Sequence, residues 1–147
     1  KFWNVYGIEK DMNKAHVITD FIRKGFESGV IDMMTDGTEA REFLYAEDCC
    51  EALETVMESY HKLTSDDELH ITTGVYTTVL EIAEEIKSLF AGIGKTITVT
   101  PAQSKDEVQK DARNVPDLYI NEFWQHKTSV PDGLKKVFEE MKKNYDS

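Results

Sequence analysis

The chain has 147 residues and a formal net charge of −11, a size that fits one domain or part of a larger one. The negative charge argues against binding to nucleic acid or to an anionic membrane surface, since both interactions need clustered Lys and Arg. Hydrophobic residues make up 40% of the sequence, enough for a core, and no apolar run approaches the ~20 residues of a membrane-spanning helix.

Apolar periodicity and turn residues predict alternating elements in the first half of the chain. They are a strand over 2–6, a helix over 15–28, a strand over 31–35, a strand over 42–46 and a helix from Asp48 to about Leu63. Gly29 is expected to end the first helix, and Asp36-Gly37 marks a turn. Asp48 is expected to cap the second helix.

The second half continues the alternation. The predicted elements are a strand over 69–72, a helix opened by the capping box Thr78 to Glu81, a strand over 96–100 and a last helix opened by Ser129. Helices and strands in mixed order favour an α/β or α+β fold.

The two cysteines, Cys49 and Cys50, are adjacent, so they cannot close a stabilising loop or form a zinc site with a second pair. A reducing, cytoplasmic location is therefore expected. On the apolar stripe of its helix, Cys49 is interpreted as a small buried hydrophobe.

Three residues could form a site for an anion. Arg41 follows a polar turn, His16 lies in the first turn predicted for its helix, where backbone N–H groups are free, and Asn4 lies near the end of a strand. Each has a plainer alternative: a surface ion pair for Arg41, a surface residue for His16, and a turn bond to its own backbone for Asn4.

Several kinds of chemistry find no support in the sequence. It contains no P-loop, no G-x-G-x-x-G and no H-E-x-x-H motif. The four histidines lack metal-ligand spacing, so no metal site is predicted. No Ser or Cys stands beside a plausible base, which disfavours nucleophilic catalysis.

Four segments together resemble the extended short-chain dehydrogenases/reductases, the family of NAD-dependent NDP-sugar epimerases and dehydratases. Asn4 to Gly7 resembles the strand end "R-x-x-N-V-Y-G", and Gly37 to Asp48 resembles "G-x-x-x-R-D-F-x-Y-V-x-D". Residues 70–83 are similar to "N-I-G-T-G-x-x-x-S/T-x-x-E-I-A", and residues 124–136 to "W-x-P-K-T-S-L-x-E-G-L-K-K". The matching order covers nearly the whole chain.

The resemblance implies that residues 1–147 form the C-terminal, substrate-binding region of such an enzyme. The Rossmann-type half that binds NAD or NADP is expected to be absent, together with its Gly-rich loop and the catalytic Tyr-x-x-x-Lys pair. The chain alone is therefore predicted to be inactive, and Tyr6 is not interpreted as the catalytic tyrosine. Elements that would complete the missing sheet are expected to expose apolar edges, so a homodimer or another association is expected.

The resemblance also implies roles for individual residues in binding an NDP-sugar. Asn4 would contact the phosphates, Trp3 would lie toward the nicotinamide, and the turn at His16 and Val17 would offer backbone donors to the pyrophosphate. The strand from Ile31 to Met34, which includes Met33, would line the base of the nucleotide. Arg41 would pair with the pyrophosphate, as charge-assisted bonds from arginine allow.

The sequence departs from the family at positions that affect substrate choice. Many members carry a further phosphate-binding Arg in "P-x-R-x-G-D", and Gln103 stands at that position here, so Lys105 or Arg113 replaces the cation or the contact is weaker. His70 stands where Asn is usual, and His126 where Pro is usual.

The leading interpretation is binding of the diphosphate part of an NDP-sugar for epimerisation or dehydration in a full-length enzyme. Two alternatives stay open: a non-catalytic sensor of sugar nucleotides, and an acidic protein-interaction domain. The base, the sugar and the choice between NAD and NADP are not determined by the sequence.

Overall fold

The computed structural model describes residues 1–9, 11, 15–63, 68–107 and 116–146. Within these ranges the strands are β1 (Val5–Tyr6), β2 (Val30–Asp32), β3 (Ala40–Glu42), β4 (Leu44–Tyr45), β5 (Tyr76–Thr78) and β6 (Thr98–Thr100). The helices are α1 (Val17–Glu27), α2 (Ala46–Ser59), α3 (Val79–Gly92) and α4 (Val130–Lys143). Two short 3₁₀ turns cover Tyr60–Lys62 and Tyr119–Glu122.

The strands form three pairs. β1 pairs with β4 and β2 pairs with β6, both in parallel, whereas β3 and β5 are antiparallel. Parallel neighbours require a crossover, and α1 lies in the connection from β1 to β4. The mixed α/β architecture predicted from the sequence is confirmed.

The core consists of two apolar clusters on opposite sides of β4. Phe43 and Tyr45 belong to the larger cluster, with the inner faces of α1, α3 and α4, whereas Leu44 belongs to the smaller one with Cys49. This division follows from the two-residue period of an extended chain. Cys49 is buried and Cys50 is exposed, as the stripe of α2 predicts.

The ends of three helices agree with the sequence signals. Thr78 and Glu81 form the predicted capping box: Glu81 N–H donates to Thr78 Oγ1 over 3.1 Å, and Thr78 N–H donates to Glu81 Oε2 over 2.7 Å. The Ser129 hydroxyl accepts from Asp132 N–H at the start of α4. Gly29, with φ of +71°, follows the C-terminus of α1, a conformation that glycine adopts at little cost.

The prediction that Asp48 caps α2 is wrong. α2 begins at Ala46 and has no side-chain cap, and the Asp48 carboxylate is buried within its first turn. Asp48 instead accepts hydrogen bonds from the backbone N–H groups of Lys127 (3.1 Å) and Thr128 (2.8 Å). Asp48 therefore acts as a hydrogen-bond acceptor for a segment about 80 residues away, and not as the cap of its own helix.

The strand predictions around Arg41 are displaced. The predicted strand 42–46 is two strands that change partner at Phe43: Ala40–Glu42 pairs with β5, and Leu44–Tyr45 pairs with β1. Arg41 consequently lies in the middle of β3, opposite Thr77, and not in a turn. The strand predicted over 69–72 is reduced to a bridge between Ile71 and Phe2.

Apolar side chains remain exposed on β1 and α2. Met57 on α2 is 77% exposed although the sequence places it on the apolar stripe, and Phe2 and Val5 are also exposed. Within the part of the chain that the structure describes, no helix is both long and apolar enough to cross a membrane.

Candidate functional site

A cleft of about 410 Å³ opens where β1 and β2 end, beside the start of α1 and the middle of β3. The carboxyl ends of strands are where α/β folds usually bind ligands. The volume lies within the range of small-molecule sites. The cleft is therefore the candidate functional site.

Five of the residues that the sequence singled out line this cleft, and they come from four separate segments. They are Asn4, His16, Val17, Met33 and Arg41, and Met34, from the same predicted strand as Met33, is a sixth. Their convergence is a finding of the structure, whereas their roles toward a ligand stay predictions.

Three other predicted residues do not line the cleft. The Ile31 side chain is fully buried in the core, because alternate residues of β2 face opposite sides and Ile31 faces inward. Gln103 is an exposed residue of the segment after β6. Trp3 packs against the ring of His70, with centroids 5.7 Å apart, outside the cleft.

Asn4 is held in an unusual backbone conformation. Its φ is +37°, a region that few residues other than glycine adopt and that asparagine tolerates better than most. Its side-chain Nδ2 donates to the carbonyl of Glu42 over 3.1 Å, so the amide is fixed across to β3 and not to its own turn. Strained residues of this kind are common at functional sites.

The start of α1 differs from the expectation in one respect. His16 is the N-cap residue, with extended φ and ψ, and precedes the first turn of the helix. Its backbone N–H donates to Glu9 Oε2 over 2.9 Å, and its Nδ1 also contacts the Glu9 carboxylate. The hydroxyl of Thr19, a residue only 2% exposed, donates to the same carboxylate.

The pKa of Glu9 reflects these contacts. Partial burial opposes its ionisation, but the hydrogen bonds from Thr19 and His16 outweigh burial and lower the pKa below its usual range. Glu9 is therefore a carboxylate held in the charged form at the positive end of the α1 dipole.

Arg41 forms an ion pair with Asp106, with 2.5 Å between Nη2 and Oδ2. The Arg41 side chain is 32% exposed and that of Asp106 is 12% exposed, so the pair is more shielded than an ordinary surface pair. Asp106 follows β6, and the pair ties the middle of β3 to that segment. The guanidinium still borders the cleft.

Further charged side chains line the cleft. Lys24 contacts the carboxylates of Asp20 (3.1 Å) and Asp32 (3.2 Å). Glu39 Oε1 accepts from the hydroxyl of Thr35 over 2.6 Å. Acidic groups therefore accompany the basic groups of the cleft, and an anionic ligand would need strong local donors.

The sequence contains one Tyr-x-x-x-Lys spacing, at Tyr6 and Lys10, contrary to the expectation that it has none. Lys10 lies outside the described residues. Tyr6 belongs to β1 and is buried, and this burial, with Tyr45, Asp48 and Asp132 nearby, raises its pKa. Such a phenol stays protonated at neutral pH, which makes Tyr6 a poor acid/base.

Three residues that touch the site were missed in the sequence. They are Glu9, Thr19 and Asp106. Thr19 could have been found, because it occupies the third position of α1, where a side chain can reach the helix start. Glu9 carries no local signal among 28 acidic residues, whereas Asp106 stands at the Asp of "P-x-R-x-G-D" and could have been noted there.

The described residues contain no group of three or more His, Cys, Asp or Glu side chains that could hold a metal ion. For a dinucleotide, the sequence offers no Gly-rich loop. Trp3 Nε1 and His70 Nδ1 are buried without a hydrogen-bond partner, but two such atoms do not form a cofactor site. Contact between Trp3 and a cofactor stays a prediction.

Comparison with known proteins identifies relatives of the chain. Residues 1–72 match the sequence model of the NAD dependent epimerase/dehydratase family. The GDP-L-fucose synthase of Sinorhizobium fredii is 28% identical over 148 residues, which cover 96% of this chain and 45% of the relative. The GDP-L-fucose synthase of Escherichia coli is 26% identical over 97% of this chain and 48% of its own length. The chain thus spans about half the length of the curated relatives it matches.

Solved structures share the fold. An epimerase from Methanothermobacter thermautotrophicus superposes with a TM-score of 0.81 at 17% identity, over 99% of this chain and 43% of that one. A UDP-glucose 4-epimerase from Thermotoga maritima, solved with UDP-glucose, gives a TM-score of 0.71 at 23% identity, over 98% of this chain and 45% of that one. The fold is that of the Rossmann-type extended short-chain dehydrogenases/reductases. The chain is similar to the NAD dependent epimerase/dehydratase family over residues 1–72, just under half of its length.

Proposed function

We propose that this chain binds the nucleoside-diphosphate part of an NDP-sugar, and that the full-length protein epimerises or dehydrates the sugar with NAD or NADP. The observation that carries the proposal is the convergence of Asn4, His16 and Arg41 on one cleft. These residues come from three distant segments, yet each can supply a hydrogen-bond donor. A diphosphate is the ligand whose charge and oxygen atoms suit such donors.

Physical chemistry supports each contact. The Arg41 guanidinium can form two parallel charge-assisted bonds with phosphate oxygens. The first residues of α1 line the cleft, and the backbone N–H groups at a helix start favour negative charge. Val17 and Met33 supply apolar surface beside these donors, and methionine adapts its shape to a flat base.

The relatives' names agree with this class of ligand. Two matched relatives are GDP-L-fucose synthases, and the structure from Thermotoga maritima contains UDP-glucose. A related GDP-mannoheptose C4 reductase from Campylobacter jejuni was solved with NADP, and a dTDP-glucose 4,6-dehydratase from Bacillus anthracis with NAD. We extend NDP-sugar and dinucleotide binding from these proteins to the full-length form of this one.

The chain would be the C-terminal, substrate-binding region of that enzyme, with an N-terminal region binding the dinucleotide. The exposed apolar residues near the start of the chain and on α2, among them Phe2, Val5 and Met57, would be covered by that region or by a second copy of the chain. Size-exclusion chromatography with light scattering tests whether the chain associates with itself. A monomer of this chain that stays soluble and unassociated would count against it.

Calorimetry tests the binding itself. UDP, GDP and dTDP, and the corresponding sugar nucleotides, are titrated into the protein in its full natural length. We expect at least one of them to bind, and the sugar nucleotide to compete with its own nucleoside diphosphate. If none binds while the protein is folded, the proposal is wrong.

A further inference from the structure

The start of α1 already holds an anion that belongs to the chain itself. The Glu9 carboxylate receives the backbone N–H of His16, the ring Nδ1 of His16 and the hydroxyl of Thr19. Glu9, His16 and Thr19 all line the cleft. The carboxylate therefore occupies donors that a bound phosphate would need.

We propose that Glu9 stands in for one phosphate of the ligand, so that the Glu9 contact and diphosphate binding exclude each other, and that Thr19 is a further phosphate-binding residue. This inference rests on the proposed function. It adds an internal competitor to the site and a binding residue on α1.

The donor set explains why the two anions compete. A carboxylate and a phosphate both accept hydrogen bonds through negatively charged oxygens, and both are stabilised at the start of a helix. A single backbone N–H and a single hydroxyl cannot serve both at full strength. Two anions held by the same donors at one helix end would also repel each other.

Thr19 has the features of a binding residue. It is buried, which is uncommon for threonine, and its hydroxyl points to the carboxylate. The hydroxyl also lies 3.1 Å from the carbonyl oxygen of His16. The Thr19 hydroxyl can therefore donate to the His16 carbonyl when Glu9 leaves, and then to an incoming phosphate. It need not remain buried without a hydrogen-bond partner.

A different role for Glu9 predicts the opposite result. If Glu9 positions the His16 ring so that the ring donates to the ligand, removing the carboxylate would weaken binding. If Glu9 is a competitor, removing it would strengthen binding. The sign of the change in affinity separates the two.

The test is calorimetry with GDP and with UDP on the protein in its full natural length. We expect Glu9→Gln and Glu9→Ala to raise the affinity roughly tenfold, because the ligand no longer displaces a charged group. Thr19→Val keeps the shape but removes the hydroxyl, and should lower the affinity about fivefold to tenfold, in the wild type and in the Glu9→Gln background alike.

The matched control lies at the other end of the same helix. Glu27 is paired with Arg23 on the exposed face of α1, so Glu27→Gln removes a charge of the same sign away from the cleft. The affinity of the Glu27→Gln variant for GDP and UDP should equal that of the wild type. An increase equal to that of Glu9→Gln would show a general effect of net charge and overturn the inference.

Other outcomes separate this inference from the proposed function. Unchanged or weaker binding in both Glu9 variants overturns the competitor role, while binding by the wild type keeps the proposed function. Unchanged binding in Thr19→Val removes Thr19 from the site. Absence of binding in every folded form overturns both. Should Glu9→Ala not fold, Glu9→Gln decides, since it retains the size of the side chain and one acceptor oxygen.

Discussion

The carboxylate of Asp48 accepts hydrogen bonds from both the backbone N–H (2.8 Å) and the hydroxyl (3.1 Å) of Thr128, which lies 80 residues further along the chain. A third bond comes from the N–H of Lys127. These contacts attach the first turn of α2 to the segment that leads into α4. These three donors come from two neighbouring residues, Lys127 and Thr128.

Asp48→Ala should destabilise the fold by about 2–4 kcal/mol, because the partly buried donors of Lys127 and Thr128 lose a buried acceptor. Urea denaturation followed by circular dichroism measures this change. Glu47→Gln is the control: the Glu47 side chain is exposed and paired weakly with Lys136, so its effect should stay below about 0.5 kcal/mol. Equal effects in the two variants would contradict the structural role of Asp48.

Asp48 also shows why some elements were predictable from the sequence and others were not. The apolar faces of α1, α3 and α4 and the capping box at Thr78 depend on residues within one or two turns, and these helices were found. The partners of Asp48, and the pairing of β3 with β5, lie far away in the sequence. Short strands that change partner at a single residue leave no periodic signal.

Gly25 is a site where the packing of α1 on α3 allows no side chain. A Cβ built on Gly25 would lie 2.2 Å from Phe90 Cε2 and 2.5 Å from Phe90 Cζ. Gly25→Ala should therefore cost about 1–3 kcal/mol through overpacking, although alanine favours helices. Thermal or urea denaturation measures the cost.

Gly92 provides the matched control for that substitution. It is the last residue of α3, and its Cβ would meet no atom within 4 Å. Gly92→Ala should be neutral, or stabilising by up to about 1 kcal/mol. If Gly25→Ala also left the stability unchanged, this result would contradict the close packing of α1 against the Phe90 ring.

Acid should weaken the fold partly through Glu81. Hydrogen bonds from the backbone and hydroxyl of Thr78 lower the pKa of Glu81 in the folded state. A carboxyl with a lowered folded pKa stabilises the fold above its unfolded pKa of about 4.3, and this contribution is lost as the pH falls through the folded value. Urea midpoints at a series of pH values from about 7 down to about 3 should show this loss.

Glu81→Gln tests the assignment, because glutamine does not titrate in this range. The variant should be less stable than the wild type near neutral pH, and the difference should shrink in acid. Glu84→Gln, at an exposed position of α3, is the control and should leave the pH profile unchanged. A constant difference between Glu81→Gln and wild type at all pH values would contradict the linkage.

The site was predictable where its chemistry repeats that of a family and unpredictable where it depends on chance proximity. Asn4 and Arg41 stood out because their segments resemble family motifs, and His16 because it lies at a predicted helix start, where donors suit a phosphate. Glu9 carries neither signal. Asp106 matches the last residue of "P-x-R-x-G-D" but did not stand out, since carboxylates are abundant in this sequence. Only the three-dimensional structure brings Asp106 to Arg41, 65 residues away.

The 147-residue chain by itself should not turn over an NDP-sugar in the presence of NAD. Its sequence has no Gly-rich loop, and its one Tyr-x-x-x-Lys spacing starts at a buried tyrosine. The absorbance of NADH and chromatography of the sugar nucleotides would detect turnover. Measurable turnover by the purified chain would show that residues of the chain suffice.

Tyr6→Phe in the full-length protein isolates the role of that tyrosine. The hydroxyl lies 3.4 Å from the carbonyl oxygen of Val130, a weak contact, so its loss should cost at most about 1 kcal/mol of stability. We expect kcat to be unchanged. A fall in kcat of roughly a hundredfold or more would instead identify Tyr6 as an acid/base.

Arg41→Ala should weaken binding of the nucleoside diphosphate by about 2–4 kcal/mol, if the guanidinium meets a shielded phosphate. Calorimetry with the nucleotide that binds best measures this loss. Lys135→Ala removes an exposed positive charge from α4 and is the control, with an expected change below about 0.5 kcal/mol. Arg41→Lys keeps the charge but loses the paired donors, so it should fall between wild type and Arg41→Ala. Equal affinity in wild type and Arg41→Ala would leave Asp106 as the functional partner of Arg41 and remove the arginine from the ligand site.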